Sequence, residues 1–335
     1  MTPTFLRLQA KALTLLITGL FLSNVLFAAP TNFIKAPKKV YHVAITQFAD
    51  TLGLNESYAG IIAGLKERGY VEGKNLKITF MNAEGDFEAT KKIAEDFVKQ
   101  KPDLIIPIST PSTQAVVNAD YKAHIPVVFS TVTDPVITQI VPSLTQSGGY
   151  VTGVYDLPSV DQQVALIREI MPNLQILGVV YNPNEANSAR ILELFEVTAK
   201  PIKIIVAEAT SASAVKAAIE SLMGKVEAVF IPSDSTVQSS MEALLNITMN
   251  NRIPVFTSDD GSVRLGALAA IADNQYDVGY LAGRRAGSVL SGMDPGKMDV
   301  VRIPHQSLFI NMKTAEKLNV KIPEKILTKA AQVIR

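Results

Sequence analysis

The chain contains no cysteine. That excludes a disulfide framework, a thiolate metal site, a cysteine nucleophile and the lipid-modified cysteine that tethers an exported lipoprotein. It also lacks an excess of either charge: 32 basic and 31 acidic residues leave a formal net charge of +1 at pH 7. No positive field draws such a protein onto a phosphate backbone, and no aromatic cluster interleaved with Lys or Arg offers stacking to single strands, so nucleic acid is not expected as a partner. Histidine is scarce. His42, His124 and His305 are the three present, the first two lie in or beside apolar runs, and no His-x-x-x-His or Glu-x-x-His pair offers a metal site. No Gly-x-Ser-x-Gly elbow occurs and no glycine-rich phosphate loop opens a helix. The motifs therefore name no catalytic residue, no metal and no cofactor, and the expectation is a protein that is not an enzyme.

Long hydrophobic runs are missing too, with one exception. Ala12 to Phe27 is apolar except for small polar interruptions, follows Arg7 and Lys11, and precedes Ala28-Ala29-Pro30. This is the order of a secretory signal, and its length of about 16 residues falls short of the roughly 20 that span a bilayer. Residues 1–29 are read as a cleaved signal peptide, giving a soluble, exported, periplasmic protein.

What is present is hydrophobic sequence in short pieces. With 335 residues, 47% of them hydrophobic, the chain is long enough for two domains of ordinary size. Aliphatic runs at 40–46, 76–81, 104–108, 126–131, 176–181, 202–207, 228–231 and 253–257 alternate with stretches of helical spacing such as Ala89, Ile93, Phe97 and Val98. Short, nearly all-apolar strands between helices predict an α/β fold with parallel sheets covered on both faces. The pattern also repeats. "PDLIIPISTPSTQAV" at 102–116 matches "VEAVFIPSDSTVQSS" at 226–240, "HIPVVFS" at 124–130 matches "RIPVFTS" at 252–258, and 78–100 parallels 204–225. Matches in the same order predict two similar, doubly wound lobes.

In open parallel sheets the loops beyond the C-terminal strand ends form the ligand crevice. Two facing lobes would then line one cleft with both halves of the repeat. Ser109, Thr110, Ser112 and Thr113 begin a helix, where free N–H groups and hydroxyls suit a carboxylate. The matching loop carries Asp234, and Asp259 and Asp260 follow the 253–257 run; these acids suit an ammonium. Donors in one lobe and acceptors in the other predict a zwitterion such as an amino acid. The same side chains also cap helices routinely, which leaves each open to that simpler reading. Phe48, Leu54 and Tyr58 are candidates for an apolar wall, Asn182, Glu185, Asn187 and Ser188 for polar orientation, and Thr131 and Asp134 for binding or capping.

The segments "RGYVEGKNLKI" (68–78), "IPVVFSTVTDPV" (125–136), "GGYVTGVYD" (148–156), "YNPNEANS" (181–188), "IPSDSTVQS" (231–239) and "DVGYLAGRRAGSVLSGMDP" (277–295) together resemble the ABC-transporter substrate-binding family that includes tryptophan- and tyrosine-binding members. The resemblance runs from about residue 38 to the end, with departures at Ile137-Thr138-Gln139 and at the turn Ser147-Gly148-Gly149-Tyr150. It implies a type I periplasmic binding fold with a three-strand hinge. Lobe 1 would comprise 38–154 plus about 272–298, and lobe 2 would comprise 155–271 plus about 299–335. It further implies a monomer that closes on a small-molecule solute, an aromatic or branched amino acid being favoured, and hands it to an ABC permease in the inner membrane. A sensory module reporting to a membrane receptor, and an exported α/β hydrolase using the acidic residues, are the alternatives.

Overall fold

The computed structural model describes residues 39–335, so the predicted signal segment lies outside the described residues. Five strands, β1 (Tyr41–Gln47), β2 (Leu76–Asn82), β3 (Leu104–Ile108), β4 (Val127–Val132) and β5 (Val151–Tyr155), form a wholly parallel sheet ordered β2-β1-β3-β4-β5. Seven more, β6 (Ile176–Tyr181), β7 (Lys203–Glu208), β8 (Ala228–Ile231), β9 (Val255–Thr257), β10 (Ala269–Ala272), β11 (Ser307–Asn311) and β12 (Gln332–Ile334), form the second sheet, ordered β12-β11-β10-β9-β8-β6-β7. In it β11 alone runs against a neighbour, β10. The eight aliphatic runs read from the sequence all appear as strands. Every residue of β3 and β8 is buried, as a parallel strand with helices on both faces requires. Pro107 inside β3 has no N–H to donate, and the pairing of β3 with β4 skips from Ile105–Val127 to Ile108–Ser130.

The helices are α1 (Leu52–Glu67), α2 (Phe87–Gln100), α3 (Thr110–Ala119), α4 (Val160–Ile170), α5 (Ala186–Thr198), α6 (Val215–Leu222), α7 (Ser235–Gln238), α8 (Met241–Asn250), α9 (Asp260–Leu265), α10 (Gln275–Leu290), α11 (Met312–Leu318) and α12 (Glu324–Leu327). In α2 the buried Thr90, Ile93, Ala94 and Phe97 recur at one helical face, and the Asp86 carboxylate accepts from Ala89 N at 2.8 Å to start the helix. Two buried clusters line the faces of each sheet.

The order β2-β1-β3-β4-β5 recurs as β7-β6-β8-β9-β10, which is the internal repeat in three dimensions. The chain leaves the first sheet after β5, returns after β10 as α10, and leaves again before β11. These crossings are tied by one isolated bridge, Val154 to Val301, reinforced by Tyr155 N–H donating to Val301 O at 2.9 Å. Helix α10 is drawn unusually close to α1. A Cβ added at Gly279 would stand 1.9 Å from the Ser57 carbonyl oxygen, and one at Gly283 2.2 Å from that of Ile61. The glycine spacing in "GYLAGRRAG" therefore sets the distance between these helices.

Candidate functional site

A tight cavity, about 400 Å³ of non-atom space counting the part open to solvent, lies where the two sheets' C-terminal strand ends face each other. The first sheet contributes Gly53 and Leu54 from the start of α1, Ser109 and Thr110 from the start of α3, and Thr131 and Thr133 from the end of β4. The second contributes Asn187, Ser233, Ser235, Gln238 and Asp259, while Asp156 and Gln275 come from the crossings.

The first-sheet wall is strained and rich in donors. Ser109 has φ 88° and Thr131 φ 58°, left-handed conformations that cost a non-glycine residue roughly 1–3 kcal/mol and gather at ligand sites. Ser109 does not cap α3 with its side chain, and its Oγ, like that of Ser112, is buried without a hydrogen-bond partner among the described residues. Thr110 Oγ1 accepts from Thr133 N at 3.3 Å, and Thr113 Oγ1 donates back to Ser109 O at 2.7 Å. A chain of hydroxyls runs behind the wall: Ser57 Oγ lies 2.9 Å from Ser130 Oγ and 3.1 Å from Thr131 Oγ1, and Thr131 Oγ1 donates to Gln275 Oε1 at 3.0 Å.

Gln275 Nε2 in turn donates to Asp156 Oδ2 at 3.0 Å. The other oxygen, Oδ1, is buried and has no partner among the described residues. Burial first, then the nearby Asp273 carboxylate, push Asp156 up to about 7, against the bond from Gln275 and the charge of Arg302. Arg302 itself leans toward Asp273 at 3.9 Å.

The predicted site residues divide into three groups. Ser109, Thr110, Thr131, Asn187 and Asp259 line the cavity, as does Leu54. Asn182, Glu185, Ser188 and Asp234 instead form a buried network behind the second wall. The Asp234 carboxylate accepts from Asn182 N at 2.5 Å, Ser188 Oγ at 2.6 Å and Val237 N at 2.9 Å. Glu185 accepts from Ser235 N, Thr236 N and Thr236 Oγ1 within 3.0 Å. Asp234 is a helix cap and loop clamp outside the cavity lining, which corrects the expectation that it faces a ligand ammonium. Ser112 and Thr113 lie in the first turn of α3 behind Ser109 and Thr110.

The third group stands apart from the cavity. Phe48 is fully buried against Phe87, with ring centroids 4.8 Å apart, and Tyr58 packs on Phe80 at 4.6 Å. Neither forms an apolar cavity wall. Asp134 and Asp260 belong to ion pairs at the lobe interface: Asp134 with Arg190 of α5 at 3.4 Å, and Asp260 with Arg264 at 3.3 Å. Arg264 Nη2 also reaches across to Glu56 of α1 at 2.6 Å. The lining residues that the sequence left unassigned are Gly53, Thr133, Asp156, Ser233, Ser235, Gln238 and Gln275.

Two α/β lobes with a polar crevice between them, lined by groups at their strand ends, define a two-lobed solute receptor. The chain belongs to the ABC transporter substrate binding protein family, whose profile it matches over residues 42–334. It is 36% identical over 286 residues to a tyrosine-binding protein of Clostridioides difficile, covering 85% of this chain and 82% of that one. Among solved structures it resembles a Streptococcus pneumonia ABC domain in complex with L-Trp, with TM-score 0.84, 31% identity, and 88% and 99% of the two chains covered. A ligand-free, open Clostridium difficile substrate binding protein with adhesive properties gives TM-score 0.64 at 33% identity, over 88% and 99%. At nearly equal identity, the chain superposes more closely on the structure in complex with L-Trp than on the ligand-free, open one. The same type I periplasmic binding fold carries solute receptors only 14–15% identical.

Proposed function

We propose that this protein is the periplasmic receptor of an ABC importer for an amino acid, bound as a zwitterion between the lobes. The observation that carries this reading is the pairing of one unpartnered buried carboxylate oxygen, Asp156 Oδ1, with the unpartnered Ser109 hydroxyl at the start of α3 in the same cavity. Asp156 takes the ammonium role, and the start of α3 takes the carboxylate. The ligand closes the lobes by contacts that the open form cannot make, and a membrane permease reads the closed shape. The protein works as a monomer, exported through its N-terminal segment 1–29.

The side-chain class rests on the relatives, whose names point to tyrosine and tryptophan. Leu54 is the one large apolar side chain in the lining, so small hydroxyl-bearing amino acids stand second. The test is thermal unfolding of refolded, solute-free protein against the twenty amino acids and their deaminated and decarboxylated analogues. Ligand at about 100 times its Kd should add roughly 2.7 kcal/mol of stability. A response to one or a few amino acids, lost on removing either charged group, is expected. A response to sugars or nucleosides alone sinks the reading.

A further inference from the structure

We infer that Gln275 is a positioning residue that holds one oxygen of Asp156, favours its carboxylate form and leaves its free oxygen turned to the cavity, and so makes ligand affinity depend on pH through the hinge. The inference rests on the amino-acid reading of the site. Gln275 opens α10 one residue beyond its cap Asn274, directly after a crossing, and is buried. Its amide is held at both ends: Oε1 accepts from Thr131 Oγ1 at 3.0 Å, which leaves Nε2 to donate to Asp156 Oδ2 at 3.0 Å. A Cβ on Gly53 would lie 3.3 Å from Gln275 Cγ, so the stem is also packed against the start of α1. With Oδ2 occupied, Oδ1 is the oxygen left for a ligand.

The charged groups around Asp156 pull in opposite directions. The Asp273 carboxylate opposes ionisation and the Arg302 guanidinium favours it, but Arg302 lies 3.9 Å from Asp273, whose carboxylate also takes a bond from Gln306. Gln275 is therefore the one neighbour that donates a side-chain hydrogen bond to Asp156 among the described residues. A donor to the charged form lowers a carboxyl's pKa. Without it, Asp156 would hold its proton to higher pH and pair with an ammonium only there.

The test uses Gln275→Leu in the full mature chain, with Thr131→Ala as a second variant that frees the Gln275 amide. The Asp156 carboxyl carbon is titrated by 13C NMR without ligand, and L-tyrosine affinity is measured at pH 7 and 8.5. The wild-type midpoint is expected near 7, higher by about one unit in Gln275→Leu, with a smaller shift in the same direction in Thr131→Ala. From the ionised fractions, the Leu variant should bind L-tyrosine about fivefold more weakly at pH 7 and less than twofold more weakly at pH 8.5. An unmoved NMR midpoint, or an affinity loss equal at the two pH values, overturns the inference. Failure of the wild type to bind L-tyrosine counts against the tyrosine reading instead, and the ligand-free titration still decides the role of Gln275.

Discussion

Asp234 and Asp156 are both buried carboxylates near the cavity, and their neighbours give them opposite duties. Asp234 accepts three bonds from its own lobe, and burial together with the Glu185 carboxylate raises its pKa. Replacing it by Ala strands those donors, at a cost on the order of 2–4 kcal/mol. Asp156 keeps one oxygen free, and Asn in its place removes a costly buried charge. With its folded pKa raised to about 7, protonation of Asp156 favours the native state below the ordinary carboxylate pKa, and that contribution is lost as pH rises through about 7. Asp156→Asn should therefore flatten the fall in ligand-free stability between about pH 4 and 7 and abolish binding of ammonium ligands. Asp234→Ala should lower Tm at every pH while the remaining folded protein binds as before. Denaturant titration and calorimetry on both variants separate the roles; lost binding with unchanged stability in Asp234→Ala would restore Asp234 to the ligand.

At the scale of elements, the site depends on how closely α10 is held to α1. Ala at Gly283 gains about 1 kcal/mol of helix propensity, but its Cβ would stand 2.2 Å from the Ile61 carbonyl oxygen, a clash with backbone that costs about 3 kcal/mol. Gly283→Ala should therefore lower Tm and, by shifting the helix that begins with Gln275, weaken ligand binding; a raised Tm would show that propensity wins and the helices can part. The same elements explain what the sequence made legible. Eight strands were readable because aliphatic runs mark them, and the strand-end rule then gave Ser109, Thr110, Thr131, Asn187 and Asp259. Strands β5, β10, β11 and β12 were not, and the first two matter to the site. "VTGVY" carries Gly153, where a Cβ would meet the Phe129 ring at 2.4 Å, and "AAIA" is short and mostly alanine. Asp156 and Gln275 lie just beyond these unread strands, so the same rule never reached them. Asp234 misled for a different reason: a carboxylate that caps a helix and one that awaits a ligand have the same sequence, and they differ in which donors the fold brings to them.

Across the whole molecule, closure brings oppositely charged groups together at two places, Arg264 with Glu56 at 2.6 Å and Arg190 with Asp134 at 3.4 Å. Arg264 also contacts Asp260 within its own lobe at 3.3 Å, so opening costs it one carboxylate partner while it keeps the other. These pairs are partly exposed, and each contributes up to about 1 kcal/mol, screened over about 10 Å at 0.1 M salt. Because they form between lobes, their effect falls on the closed state, and affinity follows the closed population. Glu56→Gln should leave the unfolding free energy of the ligand-free protein within about 0.5 kcal/mol of wild type while raising the ligand's dissociation rate severalfold at low salt, with the difference shrinking as salt rises. Stopped-flow release and small-angle scattering with and without ligand measure both effects. An unchanged release rate at low salt would mean that the ligand alone holds the lobes shut, and that the crossing ion pairs follow closure without favouring it.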